Sequence, residues 1–210
     1  RWHSLTHRPL QAQGNSPRRL LVILLSEMGS VVLAGPMFEA LKKRHPGIEL
    51  HVLQLHKNQS VMQLLGFVPE HHLHSINDKS PFRLLWSLWR TVRHLRKLGL
   101  DGVIDCELFS RISALLAYGC GARRLAGFTP HTQEGLYRGS FFNAPVLYNP
   151  YRHISLQFIA LVDGLQSTSV PRTKSLQALS KPLDSGLQVH FSGGDMAAFT
   201  RELHKDHPLF

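Results

Sequence analysis

The chain has 210 residues, 43% of them apolar and 9% aromatic, enough for a substantial core and enough to exclude global disorder. A formal net charge of +10, with 14 histidines besides, points to an anionic partner: nucleic acid, an acidic membrane surface, or a phosphorylated or carboxylated substrate. No apolar run approaches the roughly 18 to 20 residues that cross a bilayer, and two cysteines, Cys106 and Cys120, make no disulfide framework, which fits reducing, cytoplasmic surroundings.

Because the chain opens on Arg1 rather than Met, a removed N-terminal segment is expected, and residues 1–17 read as a flexible, basic lead-in without the apolar centre of a signal peptide. Six apolar residues, Leu20 to Leu25, then form the continuous run of a strand buried on both faces of a parallel sheet. Ser26-Glu27-Met28-Gly29-Ser30 breaks the run, and Val31, Ala34, Phe38 and Leu41 line one side of a helix ending near Lys42-Lys43-Arg44. Strand, small-residue turn and helix open a βαβ unit. Ligands bind beyond the carboxyl ends of such strands, so Ser26–Ser30 is the first candidate for chemistry.

His45-Pro46-Gly47 is a stop signal, Ile48 to Leu55 a second strand, and Gln59 to Phe67 a short helix closed by Gly66. His71 to Ser80 reads as a polar connector. Pro81 to Leu98 is the longest helical signal, with Leu85, Leu88, Val92 and Leu95 inward and Trp86, Arg90, Arg93 and Lys97 on the opposite face. Gly102 to Cys106 is a third strand, Ser110 to Tyr118 a helix carrying Ile112, Leu115 and Leu116, and Arg123 to Phe128 a fourth strand. Thr129 to Asn149 has no period and reads as an ordered loop, a lid or substrate loop. Pro150 to Leu165 is a helix with Ile154, Phe158 and Leu161 inward. Beyond it, residues 166–210 read as a linker, then a strand at Leu187 to Phe191 and a helix at Asp195 to Lys205. The alternation of strands and helices is that of an α/β, doubly wound fold.

Asp105 and Glu107 fall at the carboxyl end of the third strand, on the same sheet edge as Glu27; Asp105 either contacts substrate or caps the following turn. Arg111 lies in the first turn of the next helix, where a cation opposes the dipole unless an anion sits nearby. His131, Glu134, Tyr137 and Arg138 cluster in the irregular loop and suit sugar hydroxyls and anionic groups. His71-His72-Leu73-His74 invites a metal, but no Cys or carboxylate completes it. The Trp86–Lys97 face is either solvated or laid on an anionic membrane. Neither G-x-G-x-x-G nor a P-loop is present, and the scattered basic residues carry no nucleic-acid motif.

Leu20–Leu41 resembles the opening motif of the family 9 glycosyltransferases, the bacterial lipopolysaccharide heptosyltransferases and their relatives. That motif is an apolar strand, Ser-x-x-Gly-Asp, a few residues, Pro and an amphipathic helix; here it reads Ser26-Glu27-Met28-Gly29-Ser30 and Pro36. Val103-Ile104-Asp105, the helix from Ser110-Arg111, Gly121-Ala122-Arg123-Arg124 with Gly127-Phe128, and the His153 helix follow in similar order. The resemblance spans roughly residues 18–165 and implies an N-terminal Rossmann-like domain of the two-domain GT-B arrangement, which takes the acceptor. A second domain, for which the chain stops too early, would bind the nucleotide-sugar donor.

The resemblance implies an inverting transferase without a bound metal, moving a sugar from an ADP-heptose-like donor to a lipopolysaccharide core or related anionic glycan. The family's Asp, proposed as the base that deprotonates the acceptor, falls at Ser30. The nearest carboxylate in the turn is Glu27, so either Glu27 is the base or the site is a non-catalytic glycan- or anion-binding module. Ser26, Gly29, Asp105, Arg111, His131, Glu134 and Arg138 are the expected acceptor contacts. No cofactor is expected on this half, and the expected location is cytoplasmic, at the inner face of the inner membrane.

Overall fold

The computed structural model describes residues 17–77, 80–129, 139 and 141–166. Six parallel strands form one sheet: β1 (Arg19–Leu24), β2 (Glu49–Leu55), β3 (Leu73–Ile76), β4 (Gly102–Asp105), β5 (Arg124–Thr129) and β6 (Ala144–Leu147). Their spatial order is β3-β2-β1-β4-β5-β6, the doubly wound order with its reversal between β1 and β4. The helices are α1 (Met28–Leu33), α2 (Gly35–Arg44), α3 (Gln59–Leu65), α4 (Pro81–Lys97), α5 (Arg111–Gly119) and α6 (Ile154–Gln166).

The run Leu20–Leu24 is buried on both sides, as a central parallel strand requires. Leu20, Val22 and Leu24 face a core with Phe38, Leu41, Met62, Phe158 and Leu161. Leu21 and Ile23 face a second core with Leu53, Ile76, Val103, Leu95 and Leu116. Each such side chain contributes about 1.5 to 3 kcal/mol by leaving water, so this strand anchors both layers. The expected helix after the turn is two helices, α1 and α2, meeting at Ala34 ahead of Pro36, whose missing N–H interrupts the ladder. Val31, Ala34, Phe38 and Leu41 are nonetheless all buried, as their spacing predicts.

Two expectations are corrected by the sheet. The connector at His71–Ser80 contains β3, and the loop at Thr129–Asn149 contains β6. Both are edge strands, where the ladder tolerates His74, Ser75 and even Pro145. Of the apolar residues carried by α5, Leu116 is buried together with Ser113, Ala114 and Ala117, whereas Ile112 and Leu115 are 56% and 58% exposed. Small residues let this helix sit close. On α4, Leu88 and Val92 are half-buried and Leu95 is buried, joined by Leu84; the side chain of Leu85 is outside the described residues.

The two cysteines are buried thiols that form no disulfide, Cys106 Sγ lying 3.8 Å from Met37 Sδ, and burial pushes the Cys120 thiol up to about 12. Gly164 lets α6 approach β6: a Cβ there would stand 2.5 Å from Val146 Cγ2, a stiff β-branched group. Gly164→Ala is expected to cost about 1 to 3 kcal/mol by overpacking, read as a lower midpoint in urea unfolding.

Candidate functional site

In a doubly wound sheet the crevice opens where strand order reverses, at the carboxyl ends of β1 and β4. Register fixes what meets there, because Ile23 pairs with Asp105. Just beyond, the Glu107 carboxylate reaches across the reversal: its Oε1 accepts from the backbone N–H of Leu25 (2.7 Å) and Ser26 (2.8 Å). The Ser26 hydroxyl lies 2.8 Å from both oxygens. The Ser26 carbonyl in turn accepts from Asn58 Nδ2 at 2.6 Å, and Asn58 is fully buried. The Ser26 turn is therefore clamped from β4 and from the end of β2. Ser26 serves the architecture of the turn with both its main chain and its hydroxyl.

Asp105 is fully buried. Its Oδ1 accepts from the Glu107 N–H (3.0 Å) and its Oδ2 from the Ser113 hydroxyl (2.7 Å). The Asp105 carboxylate thus ties the turn after β4 to α5 through these two hydrogen bonds. Ser110 caps α5 by accepting from Ser113 N–H at 3.2 Å. In the same loop Phe109 has φ 59°, a left-handed conformation unusual for a bulky residue. Its ring meets Tyr148 edge-on, centroids 5.6 Å apart.

Glu27 stands at the mouth. Its side chain is 83% exposed, it caps nothing, and it pairs with Lys57 Nζ at 2.9 Å. Beside it Met28 is 53% exposed and Gly29 faces open space: a Cβ there would meet nothing within 4 Å, and its φ is not left-handed. Neither backbone angle nor packing accounts for that glycine. The Ser30 N–H donates to the Glu27 carbonyl at 2.9 Å, and the residue is half-buried one turn into the helix. Arg111 is exposed at the start of α5, which leaves the same sheet edge. His131, Glu134, Tyr137 and Arg138 lie outside the described residues.

Sequence reasoning located Glu27 but missed Lys57, whose partner is 30 residues away, and saw Glu107 only as a neighbour on the edge. It also missed a cleft of about 540 Å³ between β3 and α4, lined by His74, Arg83, Trp86, Ser87, Arg90 and His94. The expected exposed face of α4 is present: Trp86, Arg90, Arg93 and Lys97 all face outward. Trp86 and Trp89 are 64% and 54% exposed, with ring centroids 5.2 Å apart, and Arg93 lies over the Trp89 ring.

No family model matches the chain, and no curated protein does. Solved structures do. A glycosyl transferase family 9 protein from Veillonella parvula superposes with a TM-score of 0.66 at 21% identity, over 92% of this chain and 50% of its own. E. coli ADP-heptose lps heptosyltransferase II gives 0.62 at 17% identity, over 88% of this chain and 50% of its own. E. coli heptosyltransferase WaaC, solved with ADP, gives 0.59 at 18% identity, over 74% and 49%. This chain thus spans about half the length of the structures it resembles, and what it shares with them is a Rossmann-like, GT-B-type fold.

Proposed function

We propose that this chain is the acceptor-side half of an inverting glycosyltransferase, in which Glu27 takes the proton from an acceptor hydroxyl. The observation that carries the reading is a carboxylate standing open at the reversal of a sheet shaped like half of several heptosyltransferases. Glu27 is fixed to the clamped Ser26 turn, so it has a defined position despite its exposure. Gly29 leaves the space beside it open for a sugar ring. The acceptor hydroxyl, once deprotonated, attacks the anomeric carbon of an ADP-heptose-like donor held by a second domain. Attack from the face opposite the leaving nucleotide inverts that centre.

The acceptor is a lipopolysaccharide core sugar or a related anionic glycan. Arg111 at the sheet edge and the Arg83–Arg90 cleft offer guanidinium groups suited to phosphates and carboxylates. No helix among the described residues is long and apolar enough to cross a membrane. The paired indoles and basic residues of α4 instead suit contact with an anionic glycolipid surface, indoles at headgroup depth, on the cytoplasmic side of the membrane. Trp86→Ala with Trp89→Ala is expected to lower the fraction sedimenting with anionic phospholipid vesicles several-fold. Unchanged sedimentation in low salt rules that contact out.

One observation favours a second reading, a glycan-binding module without turnover. Ser30 replaces the resembled family's Asp, and Lys57 already occupies one Glu27 oxygen. A transfer assay with radiolabelled sugar nucleotide separates the two. The 210-residue chain alone is expected to give no product, and a longer chain carrying a donor-binding domain to give product. Turnover by the short chain overturns the division of labour; silence from the long chain, with acceptor still bound, favours the binding module.

A further inference from the structure

At the opposite end of the sheet, roughly 20 Å down β1 from the Ser26 turn at about 3.3 Å per residue, Arg19 pairs in register with Glu49. There the strands gather a carboxylate and two imidazoles that are far apart in sequence: Glu49 and His51 on β2, and His72 just before β3. One ligand atom from each lies within 4.8 Å of the others. We infer that Glu49, His51 and His72 form a binding site for a divalent cation of the zinc class.

The donor set and spacing carry the inference. Glu49 Oε1 is 3.0 Å from His51 Nε2 and 3.9 Å from His72 Nε2. Ligand atoms around a tetrahedral ion with bonds of about 2.0 to 2.1 Å stand roughly 3.3 Å apart, so these separations bracket the requirement. Two borderline imidazole nitrogens, joined by one carboxylate oxygen, make a donor set that suits zinc over magnesium or calcium. The His72 ring packs against those of His51 and His71, centroids 4.3 Å away in each case, yet its nitrogens lack close polar partners. Its Nε2 is beyond hydrogen-bond reach of Glu49, and its Nδ1 is buried with no partner.

The surroundings are those of a supported site. The other carboxylate oxygen, Oε2, is held by Arg19 Nε at 2.8 Å, which orients Oε1 inward. His51 Nδ1 lies 3.1 Å from His74 Nε2 and its Nε2 hydrogen-bonds Glu49 Oε1 at 3.0 Å; with the imidazole proton on Nδ1, donated to His74 Nε2, the Nε2 lone pair would face the ion in place of that contact. Glu49 is 35% and His72 17% exposed, which gives the ion a way in and leaves its fourth position to water. His71-His72-Leu73-His74 lacked a carboxylate in the sequence; parallel pairing of β2 with β3 supplies it from 23 residues upstream of His72.

Such an ion fastens the short edge strand β3 and the turn before it to β2. Zinc chloride titrated into the 210-residue chain against a chromophoric chelator is expected to show one site tighter than the rest. His72→Ala and Glu49→Gln should each weaken it about 100-fold, and His74→Phe about 10-fold or more, the usual size of support-shell effects. His153→Ala, an exposed histidine elsewhere, should change nothing. Cobalt(II) at the site should give the strong visible bands of four-coordination, and zinc should raise the thermal midpoint of wild type but not of His72→Ala. Equal zinc affinity in His72→Ala and wild type, or an octahedral cobalt spectrum in wild type, overturns the assignment. Circular dichroism without zinc separates a lost ligand from a lost fold, and Glu49→Gln, at a half-exposed position, gives an independent reading.

Discussion

Glu27→Gln, in a transferase that includes the donor-binding half, is expected to lower kcat about 10²- to 10⁴-fold while leaving KM for both substrates nearly unchanged. That is the range in which a positioned general base contributes, equivalent to about 3 to 5 kcal/mol of barrier. The amide keeps the shape of the carboxylate and can still bond Lys57, so the turn stays in place; only the capacity to take a proton is lost. Lys57 matters here for orientation rather than energy. Both partners are substantially exposed, and a pair in that setting stabilises little. Ser30→Asp supplies a carboxylate at the position where the resembled family carries one. Introduced into Glu27→Gln, it is expected to restore a measurable part of the transfer rate. Unchanged transfer by Glu27→Gln removes Glu27 as the base, whatever the double variant does.

The central strands were legible because burial on both faces leaves no alternation to confuse: Leu20–Leu25 and Gly102–Cys106 each match the observed strand to within one residue. The edge strands were not. β3 is four residues with His74 and Ser75 inside it, and β6 contains Pro145; each is held by a single neighbour, so its own composition says little. On α5 the apolar residues alone do not fix the buried face: Leu116 is buried with Ser113, Ala114 and Ala117, while Ile112 and Leu115 are exposed. At the reversal, the break after Leu25 announced the turn, so Glu27 could be found by eye. The Glu107 clamp could not, because it depends on β1 lying beside β4, an adjacency created by the crossing of the chain. The same holds for Glu49, His51 and His72. Local pattern shows where a turn must fall, whereas side chains from different strands meet only once register is set.

Asp105→Ala should be the most damaging single change to stability at this edge, lowering it by about 2 to 4 kcal/mol. Two hydrogen bonds to a charged acceptor are lost, from the Glu107 N–H and the Ser113 hydroxyl; at roughly 1.5 to 3 kcal/mol each they would sum to more. Part of that loss is offset, because removing a fully buried carboxylate also removes the cost of keeping it from water. Urea unfolding followed by circular dichroism reads the net. Asp105→Asn retains an oxygen for the Glu107 N–H and an amide donor toward the Ser113 hydroxyl, so it should lose clearly less than Asp105→Ala. The damage should also travel: with the Glu107 main chain released, its carboxylate no longer holds Leu25 and Ser26, and Glu27 loses its fixed base. A transferase carrying Asp105→Ala is therefore expected to lose activity even at temperatures where it remains folded. If Asp105→Ala unfolds at the same urea concentration as wild type, the buried carboxylate is not what ties β4 to α5, and the account of how this edge positions Glu27 fails with it.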